Sequence, residues 1–191
     1  YVNDLPNLGN EYRPGLVHRL DKNTSGVLVV AKNELAMTDL AKKFADRDLK
    51  RIYIALVWGN VKEDEGTITG HIGRHLKNRK IMDVFSNGEY GKHAVSHYRV
   101  LERFGYTTLV ECRLETGRTH QIRVHMSYKG NNILGDKKYR KKFKKIKNIN
   151  QNLEKLIYSL DRQFLHAKVI GFIHPKSGKK LRFTSILPND L

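Results

Sequence analysis

The sequence predicts an α+β domain: a mixed, mainly antiparallel β-sheet flanked by a few helices. Three observations predict it. About six to eight strand-like runs stand against two or three helical ones. The strands come in pairs around short turns and do not alternate regularly with helices. No fixed-period repeat and no Gly/Ser-rich linker divides the 191 residues, so one domain with a substantial core is expected over 1–191.

The elements follow in order. Residues 1–15 are polar and rich in Asn, Pro and Gly, which reads as an irregular lead-in. Gly26 opens the run Val27-Leu28-Val29-Val30-Ala31, expected to be a buried strand. Asn33 is a suitable N-cap for a helix over 34–45, with Glu34 in the first turn. Met37, Leu40, Ala41, Phe44 and Ala45 supply its apolar stripe. Residues 51–57 form a strand that stops at Gly59-Asn60, and alternation sets Tyr53 opposite Ile52, Ile54 and Leu56.

Residues 66–86 read as a hairpin around a basic turn, and 94–101 with 107–114 as a second around Phe104-Gly105. Residues 116–129 read as a loop running into a helix closed by Gly130. If the helix begins early, His120 and Arg123 share a face with Thr119 nearby, while Ile122 and Met126 anchor the adjoining stripe. A short helix is expected over 153–160, and a last hairpin joins 165–173 to 180–186 through His174-Pro175-Lys176-Ser177-Gly178.

Composition narrows the function. Lys and Arg number 36 against 19 Asp and Glu, a net charge of +17. Such an excess suits an anionic polymer, above all nucleic acid. Residues 137–147, KKYRKKFKKIK, hold eight of the cations, including Lys138 and Lys141, and +9 remains elsewhere. Tyr139, Phe143 and Ile146 interleave at helical spacing, so the run reads as an element that presents cations over apolar anchors, or as a disordered arm. The longest apolar stretch, 52–58, is far short of the ~20 residues a spanning helix needs, so a soluble, cytoplasmic protein is expected. The single cysteine, Cys112, excludes a disulfide framework and reads as a small core residue. There is no P-loop and no G-x-G-x-x-G, and His71 and His75 flank Gly73 without a metal-site signature. No metal and no cofactor are expected.

Three segments could carry chemistry. His18-Arg19-Leu20-Asp21-Lys22-Asn23-Thr24-Ser25-Gly26 is a polar turn ahead of an apolar run. Asp21 among cations would stay ionised, or would simply close an Asx turn. Thr116–His125, TGRTHQIRVH, could hold an arginine in a forked pair with a buried carboxylate, or could be a basic surface helix. Tyr53 could be an ordinary packed strand aromatic.

Together these segments resemble the RluA-type family of pseudouridine synthases. HRLDKNTSG followed by VLVVAKN (residues 18–33) resembles the family's catalytic motif, and KRIYIALVWG (50–59) its K-x-Y-x-A-x-V-x-G strand. TGRTHQIRVH (116–125) resembles its third motif. Leu134-Gly135-Asp136 with Tyr139, then RQFLHA (162–167) and His174-Pro175, follow in the family's order. Ser96 stands where a threonine is usual, and the lysine-rich connection is similar to the RluD-like branch.

The resemblance implies the pseudouridine synthase catalytic fold, isomerisation of a flipped-out uridine, and a structured RNA substrate. Large-subunit ribosomal RNA is favoured, with transfer RNA as the alternative. It implies that Asp21 is the catalytic aspartate, that Tyr53 packs on the base and can accept a proton, and that Arg123 pairs with Asp21. Arg118 is the weaker claimant for that pairing. Arg19 would enter the RNA where the uridine leaves, and His18, Arg118, Lys138 and Lys141 would contact the RNA. The family's leading strand with its K-P-x-G segment, and the S4-like domain of many relatives, would precede residue 1. A monomer is expected. Charge alone fits equally a non-catalytic RNA-binding or ribosome-assembly module; Asp21, Tyr53 and Arg123 together set the isomerase apart from it.

Overall fold

The computed structural model describes residues 4–7, 13–139 and 150–191. Their elements are β1 (Ser25–Gly26), α1 (Glu34–Asp46), β2 (Lys50–Trp58), β3 (Glu65–Arg74), β4 (Met82–Phe85), β5 (Lys92–Arg103), β6 (Thr107–Leu114), α2 (Gln121–Lys129), α3 (Gln151–Ser159), β7 (Leu165–Ile173) and β8 (Lys180–Thr184). The strands make one mixed sheet in the order β1-β7-β2-β6-β5-β3-β4, with β8 also on β7. All pairings are antiparallel except β1 with β7. The α+β expectation holds, and the three expected hairpins form: β3 with β4, β5 with β6, and β7 with β8.

The main core lies where the central strands meet α2 and α3. Ala55, Val57, Val110 and Cys112 pack with Ile122, Met126, Leu134 and Ile157, all buried. Ile122 and Met126 do anchor α2 as their spacing implies. Cys112 is a core residue, and burial pushes its thiol pKa up to about 12.

Three expectations are corrected. Residues 27–31 are not a buried strand: Leu28 is 45% and Val30 42% exposed. Only Ser25 and Gly26 pair with β7, after which the Val27 N–H donates to the Ala167 carbonyl and the chain leaves the sheet. Gly26 lies at φ 114, with its Cα so near β7 that an added Cβ would sit 2.2 Å from the Ala167 oxygen. Glycine permits so close an approach at this positive φ, and the chain turns out of the sheet there despite the β-branched run. The α1 stripe is also narrower than expected. Asn33 caps the helix and Met37 and Leu40 are buried, but Ala41 and Ala45 are exposed.

The third correction concerns α2. It begins at Gln121, and His120 is its N-cap at φ 56, so Thr119 and His120 do not share a helical face with Arg123. The cause is the Gln121 side chain. Its Oε1 accepts from the Thr116 hydroxyl at 2.7 Å and the Arg118 N–H at 2.9 Å. Its Nε2 donates to the Val95 carbonyl and the Ser96 hydroxyl, both at 2.9 Å. The loop is pulled back over the helix start, and the chain must turn sharply at His120 to enter it.

Candidate active site

The Asp21 loop is fastened from the far end of the chain. Thr24 N–H closes a turn on the Asp21 carbonyl at 3.0 Å, with Asn23 at φ 69. The buried Gln163 donates to the Lys22 carbonyl at 2.7 Å and the Thr24 hydroxyl at 3.1 Å. Arg162 donates to the Asn23 carbonyl at 3.2 Å, and the Ser25 hydroxyl is hydrogen-bonded to buried His166 at 2.9 Å. The segment 162–167 is therefore the clamp of this loop.

Asp21 faces a cleft of about 320 Å³, within the range of small-ligand sites. Tyr53 from β2, the loop 116–120 and Phe44 of α1 line it as well. Tyr53 packs against the main core, and burial pushes its phenol pKa up to about 12. It is therefore a neutral phenol at physiological pH. Charge around it is lopsided: Arg19, Arg47, Arg51 and Arg118 line the cleft, and Asp21 is its sole lining carboxylate among the described residues.

Arg123 does reach Asp21, with Nη1 at 3.4 Å from Oδ2. Its main partner is another carboxylate. The guanidinium forks onto Asp136, Nε to Oδ2 at 2.7 Å and Nη2 to Oδ1 at 2.9 Å. Both side chains are buried, at 7% and 1% exposure, whereas Asp21 keeps 16%. Burial works against the Arg123 charge, but the Asp136 hydrogen bonds and charge outweigh it and raise its pKa. Asp136 Oδ1 also accepts the Lys138 and Tyr139 N–H groups at 2.9 and 3.2 Å. The Arg123 guanidinium lies 5.1 Å over the Tyr139 ring, and the Tyr139 hydroxyl is 2.7 Å from His120 Nδ1. The signal for Asp136 was present in the Leu134-Gly135-Asp136 motif, but sequence did not tie it to Arg123.

The other expected contacts fall as follows. Arg19 is exposed at the cleft. His18 lines the cleft, its Nε2 accepts the Val29 N–H at 3.0 Å, and its ring stacks on Phe44 at 4.5 Å. Burial, then the Arg51 charge, lower its pKa to about 4, so it brings shape to the cleft and no cation. Arg118 donates through Nε to the His93 carbonyl at 2.9 Å and does not pair with Asp21. Lys138 is exposed; Lys141 and the greater part of the basic run lie outside the described residues. Ser96 bridges Gln121 and buried His125, with its hydroxyl 2.9 Å from each. No group of three or more His, Cys, Asp or Glu residues placed to hold a metal ion occurs among the described residues. No helix among them is long and apolar enough to cross a membrane.

Comparison with known proteins shows the family and the fold. The chain is 46% identical over 191 residues to the uncharacterized RNA pseudouridine synthase YlyB of Bacillus subtilis, covering 100% of this chain and 58% of that protein. It is 45% identical over 179 residues to ribosomal large subunit pseudouridine synthase D of Vibrio cholerae, covering 94% and 54%. The chain thus spans a little over half the length of these relatives. Among solved structures, human RNA pseudouridylate synthase domain containing 1 superposes with a TM-score of 0.72 at 29% identity, covering 90% of this chain and 68% of that one. The sequence profile of the RNA pseudouridylate synthase family matches residues 1–128, two thirds of the chain. On this evidence the chain belongs to the RNA pseudouridylate synthase family.

Proposed function

We propose that the protein isomerises uridine to pseudouridine in structured RNA, with large-subunit ribosomal RNA as the substrate. The observation that carries this reading is the Asp21 carboxylate, held beside Arg123 and facing a small cleft whose lining also includes four arginines. A pure RNA binder gains nothing from an anion there. The relatives named ribosomal large subunit pseudouridine synthase D support the choice of RNA.

The reaction breaks the N1–C1′ bond, turns the uracil and rejoins it through C5. The uridine must first leave the RNA stack, at a cost of roughly a few kcal/mol. Tyr53 offers an aromatic wall for the extruded base, and exposed Arg19 stands at the cleft to fill the gap. Asp21 then acts either as a nucleophile at C1′ or as the base that takes the C2′ proton; one carboxylate serves both routes. Arg123, fixed by Asp136, keeps Asp21 aimed as the base excludes water. With the Tyr53 phenol protonated, the C5 proton passes to a water that Tyr53 holds. No cofactor enters the scheme, the protein acts as a monomer, and the cytoplasm is its compartment.

The test is tritium release from RNA labelled at uridine C5. Wild type should release tritium, and Asp21→Asn should bind the RNA without release. Release by Asp21→Asn at the wild-type rate would sink the reading, as would RNA binding by wild type with no release.

A further inference from the structure

We infer that Arg51 is an anion seat that receives the backbone phosphate of the nucleotide whose base lies on Tyr53. The inference rests on the RNA reading above and adds a binding residue to it.

Arg51 is 7% exposed, yet it makes no ion pair with any described carboxylate. A buried arginine is ordinarily paired, because an unmatched charge out of water is costly. Burial lowers its pKa, the nearby Arg47 charge lowers it further, and Tyr53, a neutral phenol, supplies no counter-charge. Among the described residues one hydrogen bond holds it, from Nη2 to the Glu115 carbonyl at 3.0 Å. Nε is buried with no hydrogen-bond partner. The guanidinium sits 5.7 Å from the Phe44 ring centre. Its Nη1 occupies the space beside Gly117, where an added Cβ would lie 2.7 Å away. The group is thus preorganised, positively charged, short of acceptors and at the wall of the cleft.

Its position selects the ligand. Arg51 and Tyr53 lie on the same face of β2, two residues apart, or about 6.6 Å along the strand. A charge that far from the base wall suits the phosphate joined to the same nucleoside. A guanidinium fork matches phosphate oxygens, and with four arginines and, among the described residues, one carboxylate lining it, the cleft field also favours an anion there.

The probes are uridine, 5′-UMP and 3′-UMP, with binding followed by NMR titration and inorganic phosphate as competitor. Wild type should bind one of the two monophosphates about tenfold to a hundredfold tighter than uridine, the range for a charge-assisted contact. Which one it prefers identifies the phosphate, and inorganic phosphate should compete with it. Arg51→Gln should bind all three alike. Gly117→Ala should also lose the preference, because it keeps the charge and displaces only the guanidinium; thermal melting separates this from loss of fold. Equal binding of the three ligands by wild type, or an undiminished preference in both variants, would overturn the seat. Tritium release from RNA is measured separately. An Arg51-dependent phosphate preference without release would overturn the isomerase reading and leave the seat standing.

Discussion

Arg123 gives its two-point fork to Asp136, at 2.7 and 2.9 Å, and only a single 3.4 Å contact to Asp21. The strong pair is structural, and the weak contact is the one facing the cleft. Arg123 can therefore follow a change in charge or position of Asp21 without losing its own anchor.

Asp136→Asn should be costly for that reason. It leaves a buried guanidinium without its main counter-charge and weakens the turn that receives the Lys138 and Tyr139 N–H groups. Loss of one partner of a buried pair costs about 3–5 kcal/mol. Urea denaturation should show a drop of that order, and Arg123→Gln combined with Asp136→Asn should fall short of the sum of the two. A loss under about 1 kcal/mol would mean that Asp136 does not anchor Arg123.

Stability should rise with pH between about 4 and 6.5. Burial lowers the folded pKa values of His18 and His125 to about 4, from 6.5 in the unfolded chain. The unfolded chain therefore binds more protons in this window. The contribution is complete above pH 6.5 and lost as pH falls toward 4, with a slope of up to about 1.4 kcal/mol per pH unit for each histidine. Urea midpoints at pH 4.5, 5.5, 6.5 and 7.5 measure it. His125→Gln should remove up to half of the slope, and a flat wild-type profile would contradict the buried neutral histidines.

Tyr53 gives a separable pair of variants. Tyr53→Ala removes the aromatic wall and should weaken RNA binding by about 1–3 kcal/mol, the usual worth of one stacked base. Tyr53→Phe keeps the wall and should hold Kd within about twofold, so any fall in single-turnover rate belongs to the hydroxyl. Filter binding and tritium release read the two quantities. A large change in Kd for Tyr53→Phe would place the hydroxyl in binding instead.

Two glycines with positive φ should differ sharply. Gly105 at φ 81 has nothing within 4 Å of an added Cβ, so Gly105→Ala should cost only the left-handed conformation, about 1–2 kcal/mol. Gly26→Ala adds a clash with the β7 backbone to the same strain, and should destabilise by well over that amount and disturb the Asp21 loop. Comparable melting losses for the two would show that the β1–β7 approach is looser than described.

Much of this architecture was legible in the sequence because hairpins and caps are local. Gly105 between two alternating runs, Asn33 before α1 and Gly130 after α2 each mark their element within a few residues. Tyr53 and Arg123 stand out in the sequence because their motifs are compact, and the fold brings one to the cleft and the other to Asp21. What escaped was decided at long range. The apolar run 27–31 reads as a buried strand until Gly26 meets Ala167 across the sheet. Asp136 is thirteen residues from Arg123, with nothing local to join them. Arg51 is read in the sequence only as the first residue of a strand, and the packing of Phe44, Glu115 and Gly117 around it is what makes it a buried cation.

The clamp on the Asp21 loop is made by residues about 140 positions later in the chain, as in the Ser25–His166 contact at a separation of 141. A ribosome adds residues one at a time, and closing so long a loop is a slow, late event. The hairpins β3–β4 and β5–β6 can form while the chain is still growing, but Asp21 has no fixed position until β7 has emerged. A nascent chain halted before residue 165 would carry these hairpins with the Asp21 loop not yet fastened to β7. Order in the Asp21 loop therefore waits for the β7–β8 hairpin, and the loop closes only when that hairpin docks.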